Sequence, residues 1–358
     1  MKRVPALALA GALLAALAVT AGHSQDKPLK KVIFAVTTRD ISVVNAAASS
    51  LPRALGFWKD EGLDVTVNGV DGAAAGLQQL GAGAINLVSV APEEIVIGRE
   101  RGVKIKGFYV QARETIYRIV VPEDSAIKTV ADLKGKTVGA PSLSAGSVPF
   151  ARALISAAGV DPDKEVRFIG LGLSAQARQA LEKKQVDALA LWDSMQAALE
   201  NAGVKLRRLD APLARDMVGQ TLAARDDTLA EQAGIAVGFA RGVAKATVFG
   251  LANPEAAVRI HWKMYPRARP PADQAKALQD ALRILGGRLE LHRVDVRDDK
   301  RFGFASPAQW ERLENILKEQ KIVSGVLPAA ELYTGALIDE INRFDQAAIV
   351  KLAKDWKP

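Results

Sequence analysis

The chain of 358 residues contains no cysteine. It can therefore form no disulfide, hold no cysteine-ligated metal and carry no lipid on a cysteine. Its three histidines, His23, His261 and His292, are scattered, and neither an H-E-x-x-H pair nor an Asx-rich calcium loop occurs, so no metal is expected. Aromatic residues make up only 5% of the chain, which leaves the packing to Ala, Val, Leu and Gly. No internal stretch reads as long and apolar enough to span a bilayer. The Lys and Arg that set a pI of about 9.5 are interspersed with Asp and Glu, without aromatic–basic interleaving. That pattern favours a generic basic surface over a nucleic-acid groove, and no nucleic-acid partner is expected. "GLGLSA" holds a G-x-G fragment without the dinucleotide fingerprint, and "LSAGS" lacks the G-x-S-x-G spacing of a nucleophile elbow. "RDDT" and "VRDDKR" read as solvated turns. With no placed base or nucleophile, neither an enzyme nor a cofactor is expected.

What is present begins at the N-terminus. Met1, Lys2 and Arg3 precede an apolar Ala/Leu run over 4–19, followed by small residues and the polar "HSQDKPLKK". This is the pattern of a secretory signal over 1–24, cut after Ala21 or Ser24. The run is too short for an anchor. Loss of Lys2 and Arg3 takes the net charge from +8 to +6, since no acidic residue leaves with them. A freely diffusing periplasmic protein is expected.

The mature chain states one plan twice. "KVIFAVTT", "LDVTVNGV" and "AINLVSV" are strands alternating with the helical "LPRALGFWKDEG" and "LQQLGAG". From Lys136, "KTVGA", "KEVRFIGLG" and "VDALALW" alternate with "SVPFARALISAAG" and "LSAQARQALEKKQ". Each β-α-β-α-β unit should form a parallel sheet with helices on its faces. Right-handed crossovers place the strand C-termini of a unit at one edge, where ligands of open sheets bind. The loops at those edges are 37–42, 70–75 and 89–92, then 140–147, 170–174 and 192–195. A further strand, "KIKGFYVQ", brings Gln111 and Arg113 to the same edge. From Thr228 the chain is helical, and these helices are assigned to the first unit. The expected lobes are 30–119 plus 222–358 and 120–221, and their two crossings form a hinge.

This layout resembles the type II periplasmic binding protein fold, and within it the branch that binds taurine, alkanesulfonates, nitrate and thiamine precursors. "GFWKDEGLDVTV", "DLKGKTVGAP", "KQVDALALWD", "FASPAQWERLENILKEQKIV" and "ELYTGALIDEINRFD" carry the resemblance across nearly the whole mature chain. It implies two α/β lobes on a two-strand hinge and a monomer that captures a small molecule for an ABC permease in the inner membrane. "LWDSMQ" departs from the sulfonate binders, which tend to have Pro and an aromatic after Trp-Asp. The alternatives are an enzyme on the same fold acting on a small heterocycle, and a sensing subunit of a membrane receptor.

Candidate contacts follow from the strand ends. Ser142, Ser144 and Ser147 surround the start of the helix "SVPFARALISAAG", whose free N–H groups suit an anion, though a serine there can also simply cap the helix. Arg39 and Arg113 each offer a planar donor fork to a carboxylate or sulfonate, or else lie in solvated loops. Trp192 can stack on a planar ligand or pack under a helix. Asp193 would repel an anion, so a zwitterion or an aminopyrimidine would reconcile it with Arg39. Thr38, Ser42 and Ser174 supply hydroxyls, and Ser89, Ala91 and Pro92 are small enough to line a floor.

Overall fold

The computed structural model describes residues 28–358 apart from positions 216 and 272. The expected signal over 1–24, its cleavage positions and His23 lie outside the described residues. Ten strands form two sheets: β1 (Lys30–Val36), β2 (Leu63–Gly69), β3 (Leu87–Val90), β4 (Ile105–Val110), β5 (Tyr117–Pro122), β6 (Thr137–Ala140), β7 (Arg167–Gly170), β8 (Ala188–Trp192), β9 (Leu206–Arg208) and β10 (Thr221–Arg225). The sheet orders are β2-β1-β3-β10-β4 and β7-β6-β8-β5-β9. Each repeat supplies the expected parallel trio, with Val32 opposite Val65 in one sheet and Val138 opposite Phe168 in the other. Each trio is then extended by an antiparallel strand from a crossing: β10 runs between β3 and β4, and β5 between β8 and β9. The purely parallel expectation fails there because an extended crossing chain must satisfy its backbone groups, and the sheet beside it offers partners.

Period-2 alternation explains both cores. Along β1, Val32, Phe34 and Val36 face one cluster and Ala35 the opposite one. Phe34 and Trp58 both meet Phe239, at 4.7 and 4.9 Å between ring centroids, and the Trp58 indole donates to the Phe239 carbonyl at 3.1 Å. Phe239 belongs to the helix Ala233–Ala252, which has the length and composition of a membrane span, contrary to the sequence reading. It lies mostly buried against the first sheet, so its apolar character on nearly every side serves a core. In the second sheet, Leu189 and Leu191 pack with Leu199, while Ala188 and Ala190 pack with Phe150 and Leu154.

The C-terminal helices bear on both sheets. The helix Gln274–His292 lies along Asp193–Asn201, where the Asn201 amide donates to the Asp280 carbonyl at 3.0 Å. On the other flank Arg152 donates to Gln320, just past the helix Pro307–Glu319, at 2.8 Å. The two crossings, 111–116 and 209–220, are bonded to each other. Gln111 and Ala112 donate to the Gln220 carbonyl, and Gly219 donates to the Ala112 carbonyl at 3.2 Å. A Cβ at Gly219 would collide with the carbonyl oxygens of Glu114 and Ala112. Gly219→Ala should therefore pry the crossings apart and lower stability by about 1–3 kcal/mol. Thermal unfolding reads this directly, and an unchanged midpoint would mean that the crossings are not held in register.

Candidate functional site

The C-terminal edges of the two sheets face a shared cavity of about 660 Å³. The first sheet contributes the loop after β1, with Thr38, Arg39 and Ser42, and the end of β3, with Ser89. The second contributes Tyr117 at the start of β5 and Trp192 at the end of β8, which pair across the strands. Arg288 reaches the cavity from the helix Gln274–His292.

Of the predicted contacts, Thr38, Arg39, Ser42, Ser89, Ala91 and Trp192 line this space. The Thr38 hydroxyl donates to the Asp40 carbonyl at 2.8 Å, fixing the loop. Ser89 is buried, donates to the Gln111 side chain at 2.7 Å and accepts from Gln220 at 3.0 Å. This polar chain holds the cavity floor to both crossings. Trp192 is half-buried, with part of its ring open to the cavity.

The other seven are placed differently. Pro92 is buried at the first position of the helix Pro92–Glu100, and its neighbours Ala91 and Glu94 line the cavity instead. Arg113 does not face the cleft: it donates to the carbonyls of Asp299 and Arg301 at 3.2 and 2.9 Å. Its own N–H is held by the Leu291 carbonyl, which turns the side chain toward the C-terminal segment. Ser142 and Ser144 are exposed and bonded to each other at 3.1 Å; Ala145 and Gly146 line the cavity in their place. Ser147 begins the helix Ser147–Ala157 fully buried, away from the cavity. Ser174 begins the helix Ser174–Glu182, also outside the lining. Asp193 is not available to a ligand's amine, because Arg288 grips it twice, Nε to Oδ2 at 2.7 Å and Nη2 to Oδ1 at 2.8 Å.

These contacts set the electrostatics. Burial alone would lift the Asp193 carboxyl, but the Arg288 charge and hydrogen bonds hold it below the usual range. Arg39, largely solvent-exposed, is bonded to Asp71 at 2.5 Å. Both cavity arginines thus already hold a carboxylate. Glu94 lines the wall with its carboxylate in no ion pair or hydrogen bond among the described residues, and burial raises its carboxyl despite Arg101. Beside it, Glu93 is 8% exposed and accepts from the Tyr117 hydroxyl at 2.5 Å, joining a first-repeat helix to the second sheet. Burial pushes Glu93 up to about 7, against the opposing effect of the Tyr117 bond. A Cβ at Gly146 would strike both groups, so the start of the 147–157 helix is covered by the protein's own Glu93 and Tyr117.

Sequence reasoning missed Asn45, Glu94, Tyr117, Gln220 and Arg288, and it named the loops that hold Gly146 and Ser194 without singling out those two residues. Glu94 lies two residues beyond the loop 89–92, whereas Tyr117 opens β5 and Gln220 precedes β10, outside every loop named from the strand ends. Arg288 lies in mid-helix, with no local signal. The two described histidines do not line the cavity. His261 is bonded to Ser50 at 2.9 Å and the Ile41 carbonyl at 3.1 Å, and burial lowers it to about 4. His292 is buried one turn from Arg288 and lowered to about 3, by burial and then by the Arg288 charge.

Two α/β sheets, duplicated repeats and a cavity between their C-terminal edges define the periplasmic binding protein fold. The NMT1/THI5-like family model matches residues 44–257, and the chain belongs to that family. Among solved structures, the periplasmic aliphatic sulphonate binding protein SsuA from Escherichia coli is similar, with a TM-score of 0.62 and 19% identity over 84% of this chain and 91% of that one. The alkanesulfonate-binding protein SsuA from Xanthomonas axonopodis pv. citri, bound to MOPS, gives 0.60 and 17% over 85% and 98%. A provisionally named binding protein of Brucella abortus (strain 2308) is 28% identical over 137 residues, 38% of this chain. That match spans 41% of the relative's length.

Two predictions come from the charged groups. Removing one partner of the buried Asp193–Arg288 pair strands the other, so Arg288→Met should cost about 3–5 kcal/mol in chemical denaturation. A loss near zero would mean that Asp193 is solvated. Glu93 ionises near 4.5 when unfolded and near 7 when folded, so its contribution is intact below about 4.5 and is lost as pH rises to about 7. The slope is about 1.4 kcal/mol per pH unit for this one group. Glu93→Gln should flatten stability across that window, whereas an unchanged slope would place the titration elsewhere.

Proposed function

We propose that this protein is an exported solute-binding protein that encloses a small polar organic molecule between its two lobes and delivers it to an ABC permease. The observation that carries the reading is the cavity of about 660 Å³ built jointly by loops of both sheets. Its size is that of a small-molecule site. A ligand touching both lobes stabilises the shut arrangement over the open one, and that difference is what a permease can read.

Within the classes considered from sequence, sulfonate, carboxylate or pyrimidine, the charges favour the pyrimidine type. A bare anion would meet two arginines already holding Asp71 and Asp193, together with the unpaired Glu94 wall. A planar aminopyrimidine would instead lay its ring on Trp192 or Tyr117 and donate an N–H to Glu94, Asn45 or Gln220. A thermal-shift series tests this. A 4-aminopyrimidine at about 100 times its Kd should stabilise the protein by about 2.7 kcal/mol, and taurine should not. Trp192→Ala should weaken binding roughly tenfold. Stabilisation by taurine alone, or an unaffected Trp192→Ala variant, would contradict the assignment.

A further inference from the structure

The polar floor of the cleft has a direction. Ser89, in β3, is buried and has one hydroxyl proton to give. It stands between two amides, 2.7 Å from Oε1 of Gln111 and 3.0 Å from Nε2 of Gln220. The shorter contact has the length of an O–H donating to a carbonyl, and the longer that of an N–H donating to a hydroxyl. Ser89 thus gives its proton to Gln111 and only accepts from Gln220. The Gln220 amide is thereby oriented with its nitrogen on Ser89, and its Oε1 has no hydrogen-bond partner among the described residues. The main chain of Gln220 is held too, since its carbonyl accepts from the N–H groups of Gln111 at 2.8 Å and Ala112 at 3.2 Å. Gln220 is half-buried and lines the cavity, so it brings a fixed acceptor to the floor.

We infer that Gln220 determines specificity in the cleft: its Oε1 admits a guest that presents an N–H there and rejects one that presents a lone pair. This rests on the aminopyrimidine reading above and names the atom that reads the amino group. An N–H meets an oxygen already in place, so little ordering is needed to form the bond. A lone pair at the same point meets another oxygen, and neither group is satisfied. Gln220 cannot adapt cheaply by turning its amide over. That would bring Oε1 to Ser89, which could donate to it only by abandoning Gln111, itself buried.

The test is calorimetric titration of the full chain with 4-aminopyrimidine and 4-methoxypyrimidine, which share a ring and differ in having a donor or an acceptor at one carbon. The amine should bind the natural sequence about tenfold more tightly than the ether. In Gln220→Leu, which removes the acceptor, that ratio should fall to about one. Ser89→Ala releases the amide to turn and should shrink the ratio in the same direction, which keeps the test decisive if Gln220→Leu fails to fold. A role confined to holding the crossings together would weaken both ligands alike and leave the ratio unchanged, and that result in either variant would overturn the inference. Equal binding of both pyrimidines to the natural sequence would overturn it while leaving the ligand class standing. Binding of taurine and of neither pyrimidine would overturn the ligand class and this inference together.

Discussion

Asp193 and Arg288 stand 95 residues apart in the chain and meet as a doubly hydrogen-bonded pair at the wall of the cleft. Asp193 heads a helix of the second repeat, and Arg288 sits on a C-terminal helix that also packs on the first lobe. Burying two charges is tolerable only because each satisfies the other in a fixed geometry. The pair therefore fixes where Trp192 and Ser194, its neighbours at the end of β8, stand relative to the loop after β1. It also removes a positive and a negative charge from the cavity, and so decides what kind of guest the remaining surface suits.

The rest of the architecture supports that juxtaposition. Crossings bonded to one another at Gln111, Ala112, Gly219 and Gln220 keep the two sheet edges opposed. Ser89 ties the floor to both crossings through Gln111 and Gln220, so a shift in either is felt inside the cavity. Glu93 and Tyr117 close the inner end between the repeats. Polar contacts thus join the lobes at three places around one space, while the apolar cores on the sheet faces hold each lobe together.

The repeats were legible because strand periodicity and strand ends are local properties. The loop after β1, the end of β3 and the end of β8 follow from alternating apolar residues, and Thr38, Arg39, Ser42, Ser89 and Trp192 follow with them. What local reading does not contain is which way a side chain leaves a crossing segment. Arg113 sits at the expected edge yet turns toward the Asp299 and Arg301 carbonyls, contacts formed only when a distant segment packs there. The serine loop fails for a related reason: Ser142 and Ser144 bond to each other, Ser147 is buried, and a partner helix supplies Glu93 at the helix start. Asp193 looked free because nothing near it in sequence announces Arg288. The antiparallel insertion of β10 and β5 is likewise a long-range pairing without a local signature.

The central claim is that one guest touches both lobes in the space bounded by Trp192, Tyr117 and Glu94. A crystal structure grown with a 4-aminopyrimidine tests it most directly. The account predicts a planar ligand seated against an aromatic face, with a donor directed at Glu94 and Asp193 still held by Arg288. A ligand resting on one lobe alone, or an acidic head gripping Arg288 in place of Asp193, would contradict it.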